Sequence, residues 1–178
     1  MGAYVYIDGL GLYYGSVRGT PFKWLNFALF ADTLVPNEAV EAVRYFVPLD
    51  PNEEGRARQQ ALLDANAASS QRLTIHHVAA DDPVAELSRG LLSDARAKRC
   101  GRAVIVSNDV RVAPAMLEAW QRYRVPCGVA APLQAKLHPT VREAAVFIKH
   151  VRRAALNASQ LADPVEGENG PISKPADW

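Results

Sequence analysis

Only two cysteines occur in 178 residues, Cys100 and Cys127, in unrelated contexts and at no metal-ligand spacing. They are expected to be reduced and partly buried, in a cytoplasmic protein. Long hydrophobic runs are missing too. The apolar stretches are strand-length and broken by charge, which excludes a transmembrane helix. No basic region leads into an apolar core at the start of the chain, so neither a secretory signal nor a membrane partner is expected. A dinucleotide fingerprint, a Walker loop, a nucleophile elbow and a zinc spacing are all absent, as are internal repeats and low-complexity blocks. What is present is an ordinary globular composition, 49% hydrophobic and 22% charged, long enough for one domain with a sizeable core.

A net excess of one charge is also lacking, since 20 Lys and Arg face 19 Asp and Glu. The distribution along the chain is uneven. Basic and acidic residues number 6 and 11 over residues 1–88, 13 and 4 over 89–153, and 1 and 4 beyond. A basic half beside an acidic half fits a polyanion partner, with carboxylates nearby that need a cation. An arginine-rich solvated face is the plainer alternative.

Short apolar runs alternate with amphipathic ones. The spacing predicts strands at 4–8, 39–48, 73–78, 103–107 and 126–130, and helices at 25–34, 55–67, 83–98, 112–123 and 139–157. This order implies an α/β fold, a three-layer sandwich with a mainly parallel central sheet and right-handed crossovers. Asp82-Pro83 offers an N-cap and a proline at the first helical position. Stripes of Val84, Leu87, Leu91 and Ala95, of Ala113, Met116, Leu117 and Trp120, and of Val141, Ala144, Ala145, Ile148 and Ala155 assign core faces to three helices. Residues 1–157 form the expected domain. The remaining 158–178, interrupted by Pro164, Pro171 and Pro175, form a tail expected to be irregular or disordered, with Trp178 hinting at docking.

Two strands carry the chemistry. The run Ala3-Tyr4-Val5-Tyr6-Ile7 ends on Asp8 and meets glycines at once, which marks a buried strand delivering a carboxylate to its carboxyl edge. The run Ala103-Val104-Ile105-Val106 ends on Ser107-Asn108-Asp109. Unbroken apolar strands of this kind are central, so these two are expected to be neighbours. Carboxylates brought together there must protonate, pair with a cation or bind metal, and Mg2+ or Mn2+ suits such oxygen ligands. Asx-type capping of the following loops is the alternative.

These segments resemble the NYN-domain family, whose fold is like that of PIN-domain ribonucleases. Ile7-Asp8-Gly9-Leu10-Gly11-Leu12-Tyr13-Tyr14-Gly15 is similar to the family's IDGxNLYYG, and Lys23-Trp24-Leu25 follows at the usual place. Tyr45-Phe46, Arg58-Gln59-Gln60, Leu91-Leu92-Ser93-Asp94-Ala95 and Val106-Ser107-Asn108-Asp109 resemble later blocks. Ser159-Gln160-Leu161-Ala162-Asp163-Pro164 and Lys174-Pro175-Ala176-Asp177-Trp178 resemble a bacterial subgroup. The resemblance implies a metal-dependent endoribonuclease in which Asp8 and Asp109, with Asp82 as a third candidate ligand, hold Mg2+ or Mn2+. Asn108 beside them would orient water or a ligand.

The chain departs from that pattern at three places. Gly11 stands where the family has asparagine. The second acidic block reads Ala80-Asp81-Asp82-Pro83-Val84, with Val84 at the aspartate position. In the third block the second aspartate is Arg111. Glu86 lies about 200° around a helix from Val84 and does not replace the missing acid. Asp82 is the closer acid but suits an N-cap, and Asp94 lies nearly three turns along the helix. Arg111 beside Asp109 either neutralises that carboxylate or grips a phosphate. Two readings follow: a ribonuclease with a partly degenerate acidic site, and a catalytically inactive module that binds RNA or a protein partner. A homo-oligomer is also compatible with the chain.

For RNA, Tyr13 and Tyr14 are candidates to stack bases, though packing their loop on the sheet is the alternative. Lys23, Arg111, Lys98 and Arg99 are candidate phosphate contacts, and Arg142, Lys149 and Arg153 fall on one arc of the expected last helix. Trp24 and Trp120 are expected in the core. His76 and His77, adjacent in a strand, point to opposite faces and cannot chelate together.

Overall fold

The structure, a computed structural model, describes residues 1–79 and 82–178; Ala80 and Asp81 of the second acidic block lie outside the described residues. Six strands form one sheet in the order β3-β2-β1-β4-β5-β6, every neighbouring pair parallel. They are β1 (Ala3–Asp8), β2 (Val40–Pro48), β3 (Leu73–Val78), β4 (Arg102–Val106), β5 (Cys127–Ala131) and β6 (Phe147–His150). The helices are α1 (Gly9–Leu12), α2 (Phe27–Leu34), α3 (Glu53–Ser69), α4 (Pro83–Arg96), α5 (Ala113–Tyr123), α6 (Pro139–Ala144) and α7 (Arg153–Ala158). This is the expected α/β three-layer sandwich, and β1 and β4 are its two central strands. No described helix is long and apolar enough to cross a membrane.

Alternation along the strands builds two cores. Val5 and Ile7 face one way with Val43, Tyr45, Val104 and Phe30. Tyr6, Phe46 and Ile105 face the other, against Leu87, Leu91 and Met116. Leu87 and Leu91 are fully buried, each contributing roughly 1.5–3 kcal/mol. Helix α4 starts where expected, with Asp82 accepting from the Ala85 N–H at 2.9 Å and Pro83 opening the first turn.

Three expectations are corrected. The single helix over 139–157 is instead α6, β6 and α7: Phe147-Ile148-Lys149-His150 extends and pairs with β5. Arg142, Lys149 and Arg153 therefore sit on three elements, not one arc. In α5 the buried stripe runs through Ala115, Met116 and Ala119, which turns Leu117 and Trp120 outward, each 40% exposed. Finally, the tail is folded. Strands β7 (Val165–Gly167) and β8 (Gly170–Ile172) form an antiparallel hairpin, and Leu161 and Val165 pack on Trp24 and Ala65. The buried Trp24 indole N–H donates to the Ala162 carbonyl at 2.8 Å, and Trp178 meets its ring edge-on at 6.3 Å.

Candidate functional site at the carboxyl edge of the sheet

Strand β1 delivers Asp8 to the point where the chain crosses from one half of the sheet to the other, the usual place for a site in an open α/β fold. The side chain is buried and caps α1: Oδ1 accepts from the Gly11 N–H at 3.0 Å. Oδ2 accepts from the Ser107 hydroxyl, at the end of β4, at 2.9 Å. Burial pushes the Asp8 carboxyl above the usual range, the Gly11 and Ser107 hydrogen bonds oppose this, and the charge of Asp109 adds to the rise.

Ser107 ties the two acidic segments together, because its Oγ also accepts from the Asp109 N–H at 3.2 Å. The Asp109 carboxylate caps the turn Val110–Val112 through the Arg111 N–H at 2.9 Å. It is then closed by the same residue's guanidinium, with Nη2 to Oδ2 at 2.7 Å and Nε to Oδ1 at 3.0 Å. Those charge-assisted bonds hold the Asp109 carboxyl below the usual carboxylate range, against a smaller opposing effect of burial. Arg111 Nη1 reaches Asp82 Oδ1 at 3.1 Å. The result is a continuous row: Asp8, Ser107, Asp109, Arg111, Asp82.

This donor set does not fit a divalent cation. Both Asp109 oxygens are committed to Arg111, Asp82 is committed to Arg111 and to its helix, and both Asp8 oxygens are hydrogen-bonded. Among the described residues, no three His, Cys, Asp or Glu side chains converge as a metal site. Val84, on the first turn of α4, is buried in the core, and Glu86 pairs with Arg89.

Asn108 is spent on the backbone. Its amide donates to the Lys136 carbonyl at 3.0 Å and its carbonyl accepts from the His138 N–H at 2.7 Å, so it fastens the loop before α6. Lys98 and Arg99 do not belong to the edge at all. Helix α4 runs back across the sheet and ends at the amino edge, where the Gly101 N–H meets the Gly2 carbonyl at 3.1 Å. There the buried Asp94 accepts from Arg44 Nε at 2.5 Å, Arg99 Nε at 2.7 Å and the Tyr6 hydroxyl at 2.9 Å. Sequence spacing left Asp94 as a distant candidate; it is a structural anchor. His76 and His77 do point apart, His76 stacking on Phe46 at 4.5 Å with burial lowering its pKa.

On the other side of β1, the predicted aromatic residues meet a cavity of about 280 Å3. Tyr13 and Tyr14 occupy a π-helical turn, Tyr13–Val17, pinned to the loop after β5 by Gln134 N–H to Gly15 carbonyl (2.8 Å) and Leu133 N–H to Ser16 Oγ (3.0 Å). Their rings contact edge-on at 5.1 Å, and Tyr14 is 57% exposed with the Arg18 guanidinium 5.4 Å from its ring. Lys23, half-buried, lines the same cavity and forms no ion pair among the described residues. Sequence reasoning missed Tyr45, Arg58 and Asp50, which also line it. The hints were the Tyr45-Phe46 and Arg58-Gln59-Gln60 blocks and Trp178, which completes the wall.

No family model matches the chain, and no curated protein matches it. Among solved structures, a crystal structure of a protein of unknown function from Vibrio parahaemolyticus is similar in fold, with a TM-score of 0.62 and 12% identity, over 90% of this chain and 95% of that one. At that identity the likeness concerns architecture: the same layered α/β frame carries both chains.

Proposed function

We propose that this chain is an RNA-binding module on a PIN-like sheet that holds single strands without metal-dependent cleavage. The observation that carries this reading is Arg111, whose guanidinium spans Asp109 and Asp82 at the edge where the NYN resemblance implies a metal. A guanidinium bound to two carboxylates neutralises the charge that a divalent cation would need, and hydrolysis loses its water-activating centre. RNA binding is supported by the exposed Tyr13 and Tyr14 rings and by Lys23, whose ammonium is free of ion pairs among the described residues. Unpaired bases stack on such rings and phosphates meet such cations, with affinity falling as salt rises.

The test is fluorescence anisotropy of a labelled single-stranded RNA with the intact chain in Mn2+, followed by a gel of the same sample. Salt-sensitive binding with intact RNA, weakened about tenfold by Tyr14→Ala, is the expected result. Mn2+-dependent cleavage abolished by Asp8→Asn would replace this reading with the ribonuclease.

A further inference from the structure

The cavity beside β1 offers more than an exposed stacking surface. It lies between the carboxyl ends of β1 and β2, the turn carrying Tyr13 and Tyr14, the start of α3, and residue 178. One wall is aromatic: Tyr45 stacks on Phe27 at 4.1 Å with 10° between planes, and Trp178 also lines the cavity. The Tyr45 side chain is buried, yet its hydroxyl makes no hydrogen bond among the described residues. That leaves the hydroxyl available to a polar group entering the cavity. Lys23 and Arg58 supply two cations at the same opening. The volume, about 280 Å3, is just below the usual range for ligand sites, roughly 300–1,000 Å3. That space is on the order of one nucleoside.

We infer that this cavity is a nucleotide subsite, taking one base against the Tyr45, Tyr14 and Trp178 rings with its phosphate on Lys23 and Arg58. The inference rests on the RNA-binding reading and names the part of the strand that the fold encloses. Free nucleoside monophosphate and the terminal nucleotide of an RNA share this chemistry. Arg58 is already engaged, its Nη1 meeting Asp177 Oδ2 at 2.9 Å. An incoming phosphate displaces that carboxylate, so residues 177 and 178 act together as a competing clasp and a wall.

Calorimetric titration of the intact chain with AMP, ribose 5-phosphate and a short single-stranded RNA separates the possibilities. AMP is expected to bind more tightly than ribose 5-phosphate and to quench tryptophan fluorescence through Trp178. Lys23→Gln is expected to weaken AMP about tenfold, and Asp177→Asn to strengthen it several-fold by freeing Arg58. Equal binding of ribose 5-phosphate and AMP overturns the base pocket, and AMP affinity unchanged in both variants overturns the phosphate assignment. RNA binding without AMP binding, unaffected by Lys23→Gln, overturns the subsite and leaves the RNA reading standing. AMP binding without RNA binding does the reverse.

Discussion

Gly11 leaves open the space into which the Asp8 carboxylate turns: a Cβ on residue 11 would stand 2.5 Å from Asp8 Oδ2. The NYN pattern that this stretch resembles has asparagine at that position. In this chain the carboxylate itself fills the gap, capping α1 and accepting from Ser107. The departure at residue 11 and the inward pose of Asp8 are therefore one feature.

Gly11→Ala forces that carboxylate aside and breaks its contact with Ser107. Overpacking at a buried site costs about 1–3 kcal/mol, and denaturant unfolding of the variant is expected to show a loss in that range. An unchanged midpoint would mean that Asp8 has a second comfortable rotamer.

The two edge carboxyls respond oppositely to pH. Burial raises the Asp8 carboxyl, so its ionisation costs stability as pH climbs through its folded pKa. Arg111 depresses the Asp109 carboxyl, so that contribution is present at neutral pH and is lost as pH falls through its folded pKa. Asp8→Asn keeps the cap acceptor and removes the buried charge. Melting curves between about pH 4 and pH 8 are expected to show the variant at least as stable as the wild type, most clearly at the upper end. A variant less stable throughout would show that ionised Asp8 holds the edge together.

Asp94→Ala strands the Arg44 guanidinium against the sheet. Removing one partner of a buried ion pair costs about 3–5 kcal/mol, far more than loss of an exposed pair such as Arg122–Glu118. Because Asp94 sits at the amino edge, RNA binding by the folded fraction is expected to be unaffected. Unfolding curves and anisotropy on the same preparation check both statements.

The central relationship was legible because it is local in each strand. Unbroken apolar runs ending on Asp8 and on Asp109 define two buried parallel strands, and such strands are central. Arg111 was visible as a departure, but its second partner Asp82 was not, since two separate loops bring them together. Strand β6 was hidden for a different reason. Its four residues merge with a plausible helical stripe, and what settles them as strand is the Phe147 ring lying over Gly128 of β5, where no Cβ fits. The cavity was not legible as a unit: Tyr45, Arg58 and Trp178 stood in separate blocks, from β2, α3 and the segment after β8, with no shared period to join them.

The most direct test of the account is a calorimetric titration of Mn2+ into the wild type and into Arg111→Asp. The wild type is predicted to show no saturable binding, because Arg111 already occupies Asp109 and Asp82, whereas the variant frees both carboxylates, adds a third, and gains a cation site. Saturable Mn2+ binding by the wild type that disappears in Asp109→Asn would contradict the account.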